Sequence, residues 1–160
     1  MIRAKIKIIG THNSPVDTAD TYGLVYLDSD KVVGPRQKEF ERTSYPEEEG
    51  DHIIPKRVDA AFDYKVKFFI QATSLVNANG KIAAFNSALY SQAQGSSVKE
   101  YKQVEFYNLY KRHKIVGYPD EISEATEFWR DPKNQVNDVV VVELTIHVNK
   151  PSLCNYNYTG

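Results

Sequence analysis

Apolar and polar residues alternate along three stretches of the chain, with the two-residue period of a strand that buries one face. The first stretch is Ile2 to Ile8, where isoleucine and alanine alternate with arginine and lysine. The second is Asp63 to Thr73, in which Phe69 breaks the alternation, and the third is Asp138 to Asn149. Each stretch predicts a β-strand, and the last gives the strongest strand signal in the chain.

Shorter β-prone runs predict four further strands, separated by residues that favour turns. Their ranges are Tyr22 to Leu27, Lys38 to Ser44, Gln103 to Tyr110 and His113 to Tyr118. Thr11 to Asp20 is rich in turn formers and predicts a turn region before the first of these runs. The geometry of the hairpin around Lys111-Arg112 stays open, because that dipeptide lacks the glycine or asparagine of a tight primed turn.

The period changes once, to that of a helix. Ile82, Phe85 and Leu89 recur at helical spacing, with Asn79-Gly80 before them and Gln94-Gly95 after them. This pattern predicts a helix of about three turns that packs on a sheet. The stretch from Asp120 to Arg130 fits either a short helix or an irregular loop.

The predicted order of elements indicates a single domain over residues 1–160. Seven or so strands with one late helix favour an α+β fold that is mostly β, an antiparallel β-sandwich or partial barrel with one packed helix. A doubly wound parallel sheet would need helices between most strands. The polar tail, residues 151–160, is expected to be mobile unless a partner orders it.

The charge balance argues against a broad attraction to polyanions. Twenty basic residues oppose 21 acidic ones for a net charge of −1, so neither sequence recognition of nucleic acid nor binding to an anionic membrane is expected. No apolar run is long enough for a bilayer span or a secretory core. With one cysteine, an intramolecular disulfide is impossible, and the protein is expected to be made in the cytosol.

Residues that carry chemistry are scattered through the sequence. The glycines do not have phosphate-loop spacing, and the four histidines lie at no metal-ligand spacing. Cys154, after Pro151, is interpreted as an unreactive thiol. The sequence therefore predicts a protein that is not an enzyme and holds no metal or cofactor, although a site assembled from distant residues remains an alternative.

Three groups of residues are candidates for an interface. The first is the acidic loop from Tyr45 to Asp51. We interpret it as a solvated loop or as a charge patch between subunits, because it lacks the ligand spacing of a calcium-binding EF-hand. The second is the basic turn at Lys111 and Arg112. It fits a solvated turn, or a contact with an acidic loop on another copy, better than a nucleic-acid binding site. The third is the aromatic pair Phe128 and Trp129, which fits an interface anchor and core packing equally well. The candidates are Tyr45, Pro46, Glu47, Glu48, Glu49 and Asp51 in the loop, Lys111 and Arg112 in the turn, and Phe128 and Trp129 as the pair.

The order of these segments, from about Lys38 to Tyr156, resembles the N-terminal domain of siphophage distal tail proteins. The resemblance consists of a strand that ends in Tyr-Pro-Glu-Glu-Glu-Gly-Asp-His, then Tyr-Lys-Val-Lys-Phe-Phe-Ile from Tyr64, then the helix and the strand pair. It closes with Val-Val-Val-Glu-Leu-Thr-Ile-His-Val-Asn-Lys-Pro from Val140.

The resemblance implies a structural protein of the virion tail that is assembled in the cytoplasm of the host. It would be a homo-oligomer that forms a hexameric ring between the tail tube and the tail tip or baseplate. Other phage tail proteins, such as the tail tube and the tail-tip hub, would be its partners. Two alternatives stay open. One is a tail-tube or tail-terminator subunit of similar β architecture, and the other is a small ligand-binding or enzymatic β-domain.

Overall fold

The structure, a computed structural model, describes residues 2–32, 34, 41–44, 49–54, 59–123, 125–130 and 138–160. Within these ranges the helices are α1 (Thr18–Tyr22) and α2 (Leu75–Ala88), with a short 3-10 turn at Pro151–Leu153. The strands are β1 (Ala4–Ile8), β2 (Val16–Asp17), β3 (Val25–Ser29), β4 (Glu41–Ser44), β5 (Asp51–Ile54), β6 (Phe62–Ala72), β7 (Tyr90–Gln92), β8 (Lys99–Tyr101), β9 (Val104–Asn108), β10 (His113–Pro119), β11 (Ala125–Arg130) and β12 (Asp138–Val148).

Most of the strands form one antiparallel sheet in the order β2-β1-β9-β10-β12-β6-β3, with β11 paired to β12. The longest ladder joins β6 and β12, the two strands with the clearest alternation in the sequence, from Asp138 opposite Ala72 to Val148 opposite Phe62. The hairpins β4–β5 and β7–β8 each form a separate two-stranded sheet. The described chain therefore has a mostly β, antiparallel fold, as the alternation predicts.

The main sheet folds over itself at β10. This strand pairs with β9 over His113 to Gly117, and with β12 only at its far end. Phe106 of β9 lies edge-to-face on Phe68 of β6, with ring centroids 6.0 Å apart, although β10 and β12 separate these strands in the sheet order. The two halves of the sheet thus pack face to face as an open sandwich, which confirms the predicted fold class.

The core is built from the apolar face of each alternating strand together with one side of α2. Tyr64 and Phe68 of β6 are fully buried, and Ala78, Ile82 and Phe85 are the buried residues of α2. The helix begins after Ser74, whose side chain accepts a hydrogen bond from the Asn77 N–H. Asn79-Gly80 consequently lies inside α2 rather than before it, because the cap at Ser74 starts the helix earlier than the apolar stripe suggests.

The region from Thr11 to Tyr22 differs from its prediction as a turn followed by a strand. It contains β2 and the short helix α1, and the next strand begins only at Val25. The Asp17 side chain accepts a hydrogen bond from the Ala19 N–H, and Gly23 ends the helix in the left-handed region with φ of 72°. An aspartate cap followed by a left-handed glycine is a helix signal that the turn-rich composition obscured.

Asp120 to Arg130 is neither a helix nor an irregular loop throughout, since β11 covers Ala125–Arg130. This strand pairs with the part of β12 from Asp138 to Val142, which lies beyond the contact with β10. Pairing to an available edge of β12 is a tertiary effect, and local propensity does not encode it. The predicted loop from Tyr45 to His52 is also shorter than expected, because β5 begins at Asp51.

The segment after β12 lies along β10. Asn155 and Lys114 exchange backbone hydrogen bonds of 2.7 and 2.9 Å, and the Tyr158 N–H donates to the Arg112 carbonyl at 2.8 Å. The Tyr158 ring contacts the Tyr107 ring, with centroids 5.2 Å apart. Mobility of residues 151–160 stays a prediction, and these contacts define what a mobile tail would have to break. Neither helix of the described chain has the length and hydropathy to cross a bilayer.

Candidate interaction surface

The predicted acidic loop connects the strands of the β4–β5 hairpin. Ser44 pairs with Asp51 at the end of the ladder, so residues 45–50 form the connection. Glu49 is exposed, and Gly50 has a positive φ of 77°. The remaining predicted loop residues, Tyr45, Pro46, Glu47 and Glu48, lie outside the described residues. The hairpin thus carries a charged connection in a sheet of its own.

The predicted aromatic pair lies on β11, in register with β12. Phe128 pairs with Val140, and Trp129 pairs with Val139. Val140 is fully buried and Val139 is half-buried. The register thus sets the two residues opposite neighbouring positions of β12.

The basic turn between β9 and β10 is tied to β3. Lys111 Nζ donates to Asp28 Oδ1 at 3.0 Å and to the Ser29 carbonyl, and only 17% of the Lys111 side chain is exposed. Arg112 is exposed and has a left-handed backbone with φ of 61°. Of the two predicted residues, Arg112 is therefore the one whose charge is presented to solvent.

A buried amide holds this turn in place. The Asn108 Nδ2 lies 2.8 Å from Ser29 Oγ and 3.2 Å from the hydroxyl oxygens of both Tyr26 and Tyr64, so its two N–H groups are shared among three acceptors. Its Oδ1 accepts the N–H groups of residues 110 and 111, at 3.1 and 2.9 Å. One fully buried asparagine thus joins β3, β6 and the turn. Sequence reasoning missed this role, and the available signal was an asparagine placed where an alternating strand meets a turn.

The interior next to Asn108 is neutral near pH 7. The Tyr64 hydroxyl and His113 Nδ1 lie 3.3 Å apart. Burial lowers the pKa of His113, and burial raises the pKa of Tyr64 to about 12. Both groups therefore hold their neutral forms near pH 7, which suits a structural network better than proton transfer.

Two large apolar side chains are exposed beside the turn. Leu27, at the irregularity in the pairing of β3 with β6, is 48% exposed, and Tyr110 is 67% exposed. The Tyr110 ring lies against Tyr26, with centroids 6.3 Å apart. Among the residues that the structure describes, β3 ends the order of the main sheet, and such an edge is a natural contact for another chain. We call Leu27, Asp28, Tyr110 and Arg112 the β3 surface. Sequence reasoning found only Arg112 among them.

The described residues contain no group of three or more histidine, cysteine, aspartate or glutamate side chains arranged to hold a metal ion. Burial raises the pKa of the Cys154 thiol, which makes it a poor nucleophile. The β3 surface itself combines exposed apolar area from Leu27 and Tyr110 with the exposed charges of Asp28 and Arg112.

Comparisons with known proteins give a weak structural similarity. No family model and no curated protein matches the chain. A solved structure of SPP1 Dit (gp 19.1), a hub adsorption apparatus protein of phages that infect Gram-positive bacteria, is similar at 10% identity with a TM-score of 0.49. The similarity covers 89% of this chain and 49% of that one, so the chain spans about half the length of that protein. Similarity at this level leaves the function to be argued from the residues of the chain itself.

Proposed function

We propose that the chain is a structural subunit of a phage tail, which forms a ring joining the tail tube to the tail tip or baseplate in the virion. The segment order that resembles siphophage distal tail proteins supports this function. The observation that carries the proposal is the β4–β5 hairpin, which forms a sheet separate from the main one.

An isolated two-stranded hairpin is only marginally stable in water, and it gains stability by packing on another surface. The connection of this hairpin contains Glu47, Glu48 and Glu49, and Asp51 follows at the start of β5. The hairpin therefore offers a neighbour both backbone and negative charge. A second copy of the same chain is the partner that a ring requires.

The β3 surface is the complementary patch. Leu27 and Tyr110 provide exposed apolar area, and Arg112 provides an exposed positive charge. Contact between two different patches of one molecule is heterologous, and it closes into a ring when the rotation between neighbours divides the circle. Opposite charges on the two patches fix the register of such a contact. In the proposed ring, the acidic hairpin of one copy meets the β3 surface of the next, and six copies close it.

Native mass spectrometry over a range of concentrations tests the ring. We expect closed hexamers from the wild-type chain. The charge reversals Arg112→Glu and Glu48→Lys should each weaken assembly by about tenfold or more, which is about 1.4 kcal/mol per contact. The double variant should recover part of the loss, because it restores opposite charges across the interface. Glu100→Lys, at an exposed position of β8, is the matched control.

Two results would contradict the proposal. The first is a monomer at every concentration that also fails to bind other tail proteins. The second is a set of charge variants that assemble like the wild type. Stacked tubes in negative-stain images would support the tail-tube alternative instead.

A further inference from the structure

The two halves of the main sheet meet at a short junction. Strands β10 and β12 pair only at Tyr118 opposite His147 and at Pro119 opposite Ile146. Just beyond, the Asp120 N–H donates to the Thr145 carbonyl at 2.9 Å. By contrast, β12 pairs with β6 along its entire length. Any side-chain link across the junction therefore adds to a ladder that is short.

Such a link exists on the outer face, where His147 lies between two carboxylates. Its Nδ1 contacts Asp63 Oδ1 of β6, and its Nε2 lies 2.8 Å from Asp120 Oδ2. Asp63 is directly opposite His147 in the β6–β12 ladder, whereas Asp120 follows β10. The Asp63–His147–Asp120 row thus spans β6, β12 and the segment that leaves β10.

Both contacts require a proton on each ring nitrogen. A carboxylate only accepts hydrogen bonds, and a neutral imidazole donates from one nitrogen while the other is an acceptor. With a neutral ring, one of the two carboxylates would face a lone pair. Imidazolium donates from both nitrogens and also balances one of the two negative charges.

The surroundings favour the charged ring. The hydrogen bonds to Asp63 and to Asp120 raise the pKa of His147 above its ordinary value of 6.5, and the limited burial of the ring opposes them only partly. On the neighbouring strands, Tyr118 lies opposite His147 on β10, and Lys65 lies opposite Thr145 on β6. Two carboxylates are therefore the charged groups that contact the ring, and the lysine is displaced along the sheet.

We infer that His147 is a pH-dependent link across the sheet junction. When protonated, it joins β6, β12 and the segment after β10, and when it loses a proton it releases Asp120. Asp120 is the released partner because Asp63 is held in place by the long β6–β12 ladder. The link forms below the pKa of His147 and breaks as the pH rises through that pKa. This inference concerns the junction alone and is independent of the proposed function.

Nuclear magnetic resonance of the histidine rings tests the His147 link in the intact chain. In a titration followed by long-range proton–nitrogen spectra, His147 should keep protons on both ring nitrogens to a pH above 6.5. Asp63→Asn and Asp120→Asn should each move its pKa toward 6.5. Asp20→Asn, which removes an exposed carboxylate from α1, should leave the titration unchanged.

A second readout follows the backbone at the junction. The protection factor of the Asp120 amide, corrected for the intrinsic effect of pH on exchange, should fall as the pH rises through the pKa of His147. In Asp120→Asn, the same amide should lose this step. The inference is overturned if wild-type His147 titrates at or below 6.5, if Asp120→Asn leaves its pKa unchanged, or if the amide shows no step.

Discussion

Gly117 of β10 packs directly against the backbone of His147 in β12. A Cβ atom at Gly117 would lie 2.3 Å from the His147 carbonyl oxygen and 2.9 Å from its carbonyl carbon. Real Cβ contacts are never this short, so the junction between the two halves of the sheet depends on the absence of a side chain at this position.

Gly117→Ala is therefore expected to destabilise the fold by about 2 kcal/mol or more, since the clash is with backbone and no flexible side chain can move aside. Urea denaturation followed by circular dichroism measures the change. Gly80→Ala is the matched control, because nothing lies within 4 Å of a Cβ there and α2 gains about 0.5–1 kcal/mol when alanine replaces glycine. Equal effects of the two substitutions would contradict the close approach at the junction.

Asn108→Ala should lower the free energy of unfolding by about 2–4 kcal/mol, because it leaves several buried or half-buried partners without their hydrogen bonds. The affected groups are the hydroxyls of Tyr26 and Tyr64 and the N–H groups of the turn before β10. Asn79→Ala changes an exposed position of α2 and should be neutral or slightly stabilising. Thermal unfolding of both variants checks the difference, and a small effect at Asn108 would show that the network contributes little.

The lowered pKa of His113 predicts that the folded chain loses stability in mild acid. Its pKa is lowered in the folded chain by burial, so the unfolded state binds a proton more readily than the folded state. The free energy of unfolding should therefore be unaffected by His113 above pH 6.5, and should fall as the pH drops below 6.5 toward the lowered pKa. His147 acts in the opposite direction and in another window: because its pKa is raised in the folded chain, its stabilising contribution is fully present below pH 6.5 and is lost as the pH rises above 6.5 through the raised pKa.

Denaturation curves at pH 7.5, 6.5 and 5.5 separate the two histidines. The difference between the wild type and His113→Gln should shrink between pH 6.5 and 5.5, because only the wild type must bury a protonatable ring. The contribution of His12, whose pKa burial also lowers, is common to both proteins and cancels. A difference that stays constant below pH 6.5 would mean that His113 does not titrate with folding.

The C-terminal segment gives a prediction about backbone dynamics. The amides of Lys114 and Asn155 donate to each other's carbonyls, so both should exchange with deuterium more slowly than exposed amides such as that of Thr159. Removal of residues 155–160 should speed exchange at Lys114 and leave the β6–β12 ladder unchanged. Rapid exchange at Asn155 in the intact chain would instead support the mobile tail expected from composition.

The strands predicted most securely are those whose alternation matches a long ladder. Tyr64 to Ile70 and Val140 to Val148 reveal their buried faces in the sequence because each lies on a sheet with one face in the core. Strand β11 escaped prediction because it depends on a tertiary contact, its pairing with Asp138 to Val142 of β12. Helix α1 is shorter than two turns, too short for an apolar period to emerge.

The candidate surface was harder to predict than the fold. Arg112 stood out because charges cluster around it, but Leu27 and Tyr110 look like ordinary core residues in sequence. Their exposure follows from the irregular pairing of β3 and from the turn that Asn108 holds, and both are tertiary features. The contacts of His147 join residues that are 84 and 27 positions apart, a separation that no local pattern reports.

The two pairs that join β10 to β12 also determine how the molecule would respond to mechanical load. Backbone hydrogen bonds resist shear only where they form long ladders, so twisting one layer over the other meets little resistance from the junction itself. The stiffness between the layers then depends on interlocked rings such as Phe68 and Phe106. The torsional compliance of the molecule would then follow the packing of its interior.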